Sequence, residues 1–363
     1  MSKFRVVQLT QEALKIQCKV DDFEQWGAPY LTLSQYLKKE EIQRATTFSK
    51  RGSIFWALVD KNEDCDVKIG DPVLYCHCES HRFDCVVRHS SGEIERGYSY
   101  HIGSVFTLPV YRNQGLATYF ITEVAKQLRT LPNALLSVLY SDIGPTFYDK
   151  LGWKVYSSTM AVLSVGKYAN TRNDSSVKLE FLTLKDNLDK LLKDDNIRLV
   201  NELASDRFQR QKAFAILPTC DSIEWQFCIG VHFAQVRQYK ELPSCCGVVA
   251  NNDAFIVWCH NFKESTLYVL RARWSNDSDT STEMIKLLLN EAIKEARRFK
   301  LDKVAIWAPP SILTKAEVCS HFEMNVIERE DSLSSAMMFS SDSSKDELMP
   351  SPYWLANEKY AWV

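Results

Sequence analysis

Apolar positions along the chain alternate between a two-residue and a helical spacing, and these spacings set the predicted elements. Residues 5–9 predict a first strand, followed by helices around residues 11–25 and 34–43. The β-branched and aromatic run 53–59 predicts a strand, and residues 73–79, 83–87 and 99–108 continue the series. A helix follows, with apolar Ala117, Phe120, Ile121, Val124, Ala125 and Leu128 on one side. Residues 134–140 are a further strand, Ser141-Asp142-Ile143-Gly144-Pro145 turns into a short helix ending at Gly152, and residues 153–165 close the first unit.

Residues 166–176 are polar and aperiodic and read as a linker. Beyond them, 184–203 predicts a helix, 245–260 and 267–274 predict strands, 282–300 a helix, and 304–307 a strand. The second half therefore repeats the strand–turn–helix–strand order of residues 99–140. Its turn, Ser275-Asn276-Asp277-Ser278-Asp279, has no glycine and two carboxylates, which would repel a phosphate. The expected organisation is a domain at 1–165, a linker at 166–176, and a degenerate second copy at 177–363.

Composition narrows the class. The 363 residues are 45% hydrophobic and 25% charged, with a formal net charge of -2. These values suit a folded globular protein and give no global attraction to nucleic acid or anionic lipid. No apolar run reaches the length of a membrane span, and the start of the sequence lacks a signal-peptide core. Eleven cysteines, an odd number scattered through apolar runs, fit reduced thiols and a cytoplasmic protein. Cys76-His77-Cys78 with His81 and Cys85 has zinc-ligand chemistry, but the Cys-x-Cys spacing is tight and no second pair follows. The stretch reads as strand, and no metal is expected.

The most informative segment is residues 103–118. A β-prone run ends at Pro109, a short polar turn follows, and Gly115 opens the helix. The first amides of a helix have no intrahelical partner, and its dipole favours an anion there. Gly115 and Ala117 remove bulk where a phosphate would approach, and Arg112 adds a fixed cation. The alternative is an ordinary strand-to-helix connection, since turns with one glycine are common.

Arg112-x-x-Gly115-x-Ala117 resembles the pyrophosphate-gripping signature of the GCN5-related N-acetyltransferases, and Phe147-Tyr148-Asp149-Lys150-Leu151-Gly152-Trp153 resembles a second segment of that family. The resemblance implies an α/β (α+β acetyltransferase) fold for the first domain: a mixed, mainly antiparallel sheet flanked by helices. It also implies acetyl-coenzyme A as co-substrate, held by Val105, Phe106, Thr107, Arg112, Asn113, Gln114, Gly115, Leu116, Ala117, Thr118 and Phe147. Tyr148 would protonate the departing thiolate, a role suited to a phenol of pKa about 10. His101 stands where some relatives carry a general base; its alternative is a strand-end histidine bonded to a carbonyl.

A narrower likeness covers most of the chain. Cys78-Glu79-Ser80-His81-Arg82, Ser104-Val105-Phe106-Thr107, Tyr111 to Ala117, Ile223-Glu224-Trp225, Trp307-Ala308-Pro309 and Asn357-Glu358-Lys359-Tyr360-Ala361-Trp362 resemble the fungal lysine N-acetyltransferases of lysine catabolism. That family carries a second, acetyltransferase-like domain. The implied reaction moves an acetyl group to the side-chain amine of free L-lysine by direct attack. Glu79, Glu224 and Trp225 are candidate substrate contacts by charge and aromatic packing, although Trp225 equally suits a core. Protein lysines, polyamines, or non-catalytic acyl-coenzyme A binding are the alternatives. Neither nucleic acid nor a membrane is an expected partner, and the sequence leaves the oligomeric state open.

Overall fold

The structure is a computed structural model that describes residues 3–62, 72–167, 177–251, 253–274, 278–339 and 351–363. Its elements run β1 (Phe4–Leu9), α1 (Glu12–Asp21), α2 (Phe23–Trp26), α3 (Leu33–Ala45), α4 (Thr47–Gly52), β2 (Ser53–Asp60), β3 (Cys76–Arg88), β4 (Ile94–Thr107), α5 (Leu116–Leu128), β5 (Ala134–Ser141), α6 (Thr146–Asp149), β6 (Lys154–Val155) and β7 (Thr159–Ser164). The second half continues with β8 (Leu179–Leu182), α7 (Leu188–Ala204), β9 (Ala213–Ile216), α8 (Cys220–Val236), β10 (Gly247–Ala250), β11 (Ala254–Asn261), β12 (Thr266–Arg273), α9 (Ser278–Arg298), β13 (Lys303–Trp307), α10 (Ala316–His321), β14 (Asn325–Glu328), β15 (Leu333–Met338) and β16 (Tyr353–Leu355). Of the expected linker 166–176, residues 168–176 lie outside the described residues, as do 275–277 of the acidic turn.

Two mainly antiparallel sheets form. The first has the order β1-β2-β3-β4-β5-β15-β6, with β9 also pairing β3 and β16 pairing β9. The second has the order β14-β7-β13-β12-β11-β10-β8. Each contains a parallel pair joined by a long helix, β4–α5–β5 and β12–α9–β13, and the first sheet also pairs β9 with β16 in parallel. The repeated strand–helix–strand order of the sequence is thus a repeated structural unit.

The sheets trade strands across residue 165. β7, from the first half, pairs with β13 and β14, while β15, from the second half, pairs with β5 and β6. Residues 153–165, one closing segment by periodicity, therefore divide between two sheets. Neither half completes its sheet alone, and the exchange covers an edge that would otherwise leave a row of backbone groups unpaired.

Apolar clusters hold these layers, three of them the largest. α5 buries Phe120, Ile121, Val124 and Leu128 against Trp56, Tyr100, Ile102 and Trp153 on the first sheet. α9 buries Ile285, Leu288, Leu289 and Ile293 against Val248, Ile256, Trp258 and Val304 on the second. A third cluster, including Phe83, Val138, Phe214, Ile223, Phe227, Val257 and Tyr360, joins the two sheets. Each such side chain contributes about 1.5–3 kcal/mol relative to exposure.

The terminal segment is fastened into this join. Gln226 Nε2, on α8, donates to the carbonyls of Lys359, Tyr360 and Trp362 (3.2, 2.9 and 3.1 Å). His101 Nδ1–H donates to the Ala361 carbonyl at 2.7 Å. The His101 ring is fully buried and stacks on Phe83 at 4.1 Å. Among the described residues, no helix is long and apolar enough to cross a membrane.

Burial pushes the His101 imidazole down to about 3, and His77 likewise. Above about pH 6.5 both are neutral folded and unfolded, and cost nothing. As pH falls below 6.5 the unfolded chain takes up their protons first, so unfolding is favoured by up to about 1.4 kcal/mol per pH unit per histidine. We expect the melting temperature to fall between pH 6.5 and 5, and His101→Asn to make that dependence shallower in a thermal-unfolding series.

Candidate active site

β4 and β5 run parallel from Tyr98↔Ala134 and part after Ile102↔Leu139, although both strands continue. On its other side β4 keeps pairing with β3, through a bulge in which two steps on β3 (His77 to Glu79) match three on β4 (Gly103 to Phe106). Ser104 takes a positive φ of 52° in that bulge. A bulge strengthens the local twist and bends the strand that carries it. The gap between the two strands opens into a cavity of about 1030 Å³.

Along one wall run Val105, Phe106 and Thr107, and then the turn Pro109–Tyr111 carries the chain into α5. Gly115 caps that helix at φ 74°, ψ 6°, a left-handed conformation that a β-carbon disfavours. No side chain caps the helix, so the first amides of α5 are not claimed by a capping residue. Arg112 Nε donates to the Thr107 carbonyl at 3.0 Å, and its guanidinium stands 5.4 Å over the Phe106 ring. Asn113, Leu116, Ala117 and Thr118 also line the cavity. Gln114 does not; its amide donates to the Val110 carbonyl at 3.4 Å.

Phe147 and Tyr148, from α6, line the same cavity. Their rings meet edge to face at 4.9 Å, and Tyr148 is 7% exposed. Burial raises the Tyr148 phenol above its ordinary range, with Cys78 and Asp142 adding to the effect, so it keeps its proton near neutrality.

Opposite lies a charged cluster. Buried Lys19 of α1 contacts Glu79 of β3 and Glu40 of α3 (3.2 Å for Glu40), and Glu40 also pairs with Lys39 at 2.6 Å. Burial opposes charge on Glu40, but Lys19 and Lys39 hold its carboxyl down to about 2. Burial likewise opposes charge on Lys19, and Glu40 and Glu79 outweigh it, leaving the ammonium firmly protonated. Lys19, Lys39 and Glu40 were not legible as site residues; each is one polar position on a helix with no motif around it. His81 joins the cluster 3.8 Å from Glu79.

Trp225 lines the cavity and also packs in the core, its ring 5.9 Å from Phe48 and 5.0 Å from His81. Glu224, its neighbour on α8, does not face the cavity. Nor does His101, whose ring faces Phe83 and the terminal segment. On that strand Tyr100 and Ile102 pack with α5, so His101, between them, points to the opposite face. Of the residues expected from the sequence, the structure thus gathers Glu79, Val105, Phe106, Thr107, Arg112, Asn113, Gly115, Leu116, Ala117, Thr118, Phe147, Tyr148 and Trp225 around one space, leaving Gln114, His101 and Glu224 outside it.

The far wall comes from the second half: Gln226, Cys259, His260, Glu264, Tyr268 and Lys359. Cys76, Cys78 and Cys85 lie buried in β3 as free thiols. Among the described residues, no group of three or more His, Cys, Asp or Glu is placed to hold a metal.

Known proteins share this architecture. Residues 164–363 match the family described as GNAT_LYC1-like, LYC1 GNAT-like C-terminal domain. A protein named lysine acetyltransferase from Yarrowia lipolytica is 22% identical over 323 residues, covering 78% of this chain and 79% of that protein. A GCN5-related N-acetyltransferase from Kribbella flavida superposes with a TM-score of 0.53 at 14% identity, covering 92% of this chain and 70% of its own. A probable N-acyltransferase of unknown function from Enterococcus faecalis V583 gives a TM-score of 0.54 at 11% identity, covering 93% and 72%. The two solved structures establish a common fold, and the family match extends over more than half the chain. With its parallel pair parting beside an uncapped helix N-terminus, the chain belongs to the LYC1-like GNAT family and is an acyltransferase of the GCN5-related N-acetyltransferase superfamily.

Proposed function

We propose that the protein transfers an acetyl group from acetyl-coenzyme A to the side-chain amine of free L-lysine. The observation that carries this reading is a single cavity that joins the N-terminus of α5, the Tyr148 phenol and a carboxylate cluster. When bound, acetyl-coenzyme A would supply the thioester that an amine attacks. The fit rests on the bare Gly115 cap, which leaves room and free amides for a diphosphate, with Arg112 beside them. The parted edge of β4 beyond Ile102 leaves backbone groups available to a ligand lying along Val105–Thr107. Tyr148 holds a proton at its hydroxyl that a departing thiolate needs. Glu79 and Glu40 give this side of the cavity acceptors for an ammonium, with Trp225 offering an aromatic face to an alkyl stem. The curated relative's name, lysine acetyltransferase, supports the acceptor class.

Mixing purified protein with acetyl-coenzyme A and L-lysine is expected to release coenzyme A. Absence of turnover across a panel of amino acids and diamines would overturn the reading.

Gly115→Asp is expected to weaken acetyl-coenzyme A binding roughly 100-fold, because it adds both a β-carbon at positive φ and a negative charge at the helix N-terminus. Gly115→Ala, with the strain alone, should lose far less in titration calorimetry. Tyr148→Phe is expected to lower kcat by about 100-fold or more, the usual scale of general-acid loss, with cofactor affinity nearly unchanged. A large affinity loss in that variant would assign Tyr148 to packing.

A further inference from the structure

Lys359 opens the short terminal turn Lys359–Ala361 and lines the cavity from the second half of the chain. It is 5% exposed. Its Nζ sits over three aromatic rings, 3.6 Å from the centroid of Trp362, 4.3 Å from Trp307 and 4.8 Å from Tyr268. Among the described residues this amine has neither a hydrogen-bond acceptor nor a carboxylate partner. The other lysines of the buried wall differ: Lys19 and Lys39 are each paired with carboxylates.

Two neighbours on the same indole also lack a charged partner among the described residues. The Tyr140 hydroxyl is buried with no partner, lines the same cavity, and its ring lies 5.7 Å from Trp307. Arg329, 5% exposed, covers the Trp307 ring at 3.4 Å. Its guanidinium donates only to uncharged oxygens: the carbonyls of Ser158 and Ser332 and the Ser334 hydroxyl. Two buried cations and an idle hydroxyl therefore gather about one indole, and among the described residues neither cation is in an ion pair. A buried charge without a partner is costly, and a buried donor without an acceptor costs about 1–3 kcal/mol.

Burial brings the Lys359 ammonium down to about 7, against opposing effects of Cys259, Glu264 and Asp142. The nearby carboxylates are engaged elsewhere. Asp142 accepts from the Ser332 amide and hydroxyl (2.9 and 3.2 Å), and Glu264 from Asn261 and Tyr268 (3.0 and 2.5 Å). Asp331 also lines the cavity and forms no ion pair with Lys359. Asp142, Tyr148 and Lys359 all line this one cavity.

We propose that Lys359 Nζ and the Tyr140 hydroxyl form a subsite for the α-carboxylate of the acceptor, so that the protein selects a free amino acid over a diamine. This rests on reading the cavity as the acceptor site of an acetyl transfer. A carboxylate brings the missing counter-charge and accepts from both groups at once, and charge-assisted hydrogen bonds of this kind are the strong ones. Arg329, over the same indole, adds positive field. Seating the carboxylate also fixes how far the side-chain amine extends into the cavity, which converts a charge contact into a length filter.

The test compares L-lysine with cadaverine, which has the same amine and chain but no carboxylate. Lys359→Met is expected to reduce the lysine-over-cadaverine ratio of kcat/KM tenfold or more, chiefly through the KM for lysine. Lys359→Arg should restore most of the ratio, and Tyr140→Phe should lower it by a smaller factor. Calorimetric binding of L-lysine should weaken in parallel. An unchanged ratio in Lys359→Met overturns the subsite, and so does an equal loss with both acceptors, which places Lys359 in proton transfer or packing. If the wild-type protein acetylates neither small amine but does acetylate peptides, the free-amine reading itself fails and the subsite with it.

Discussion

The parting of β4 from β5 after Ile102↔Leu139 is the constraint on which the rest of the molecule depends. Continuous pairing to Thr107 and Ser141 would fill the sheet and leave no cavity. The bulge at Ser104 bends β4 while β3 still holds it, so one edge of the strand is freed without loosening the other. The chain that leaves this freed edge turns directly into α5. The turn into α5, the α6 tyrosine and the walls of the cavity are therefore placed by one local break in a ladder.

The second half of the chain closes the space that this break opens. α8 supplies Trp225 to the wall and uses Gln226 to bind the carbonyls of Lys359, Tyr360 and Trp362 in the terminal segment. His101 binds a fourth from the opposite sheet. The histidine thus acts through position: it ties β4, beside the bulge, to the turn that carries Lys359. Its basic nitrogen, Nε2, is buried without a partner among the described residues and lies away from the cavity, a poor arrangement for accepting a proton from an acceptor amine.

Much of this was legible in the sequence where a local rule acts alone. α5 has a clean apolar stripe and a glycine at its start, so helix, cap and anion-binding amides follow from spacing. The parallel repeat followed from order alone. Elsewhere several effects compete. α8 was not foreseen because Ile223, Trp225, Phe227 and Phe233 share burial with Gln226 and His232, and a helix buried nearly all round loses its polar face. β3 was divided in two at Ser80–Arg82, yet it is continuous, since strand pairing on both sides carries it through and buries Ser80 and His81. Residues 245–260 read as one apolar run but fold back between β10 and β11. The exchange of β7 and β15 depends on which distant edge each strand meets, and no short-range pattern encodes that choice. The same limit hid Lys19, Glu40 and the aromatic ring of contacts around Lys359.

The reciprocal trade of β7 and β15 bears on how the chain reaches this state during synthesis. The outer edge of β5 stays open until Met338 has left the ribosome, and β7, made early, has no place to dock until β13 exists. Folding by halves, the ordinary route for two-unit chains, is closed to this one. The nascent protein must carry an unsatisfied strand edge for the time it takes to translate almost the entire second unit, so it is in the newly made chain, more than in the mature enzyme, that protection against aggregation is needed.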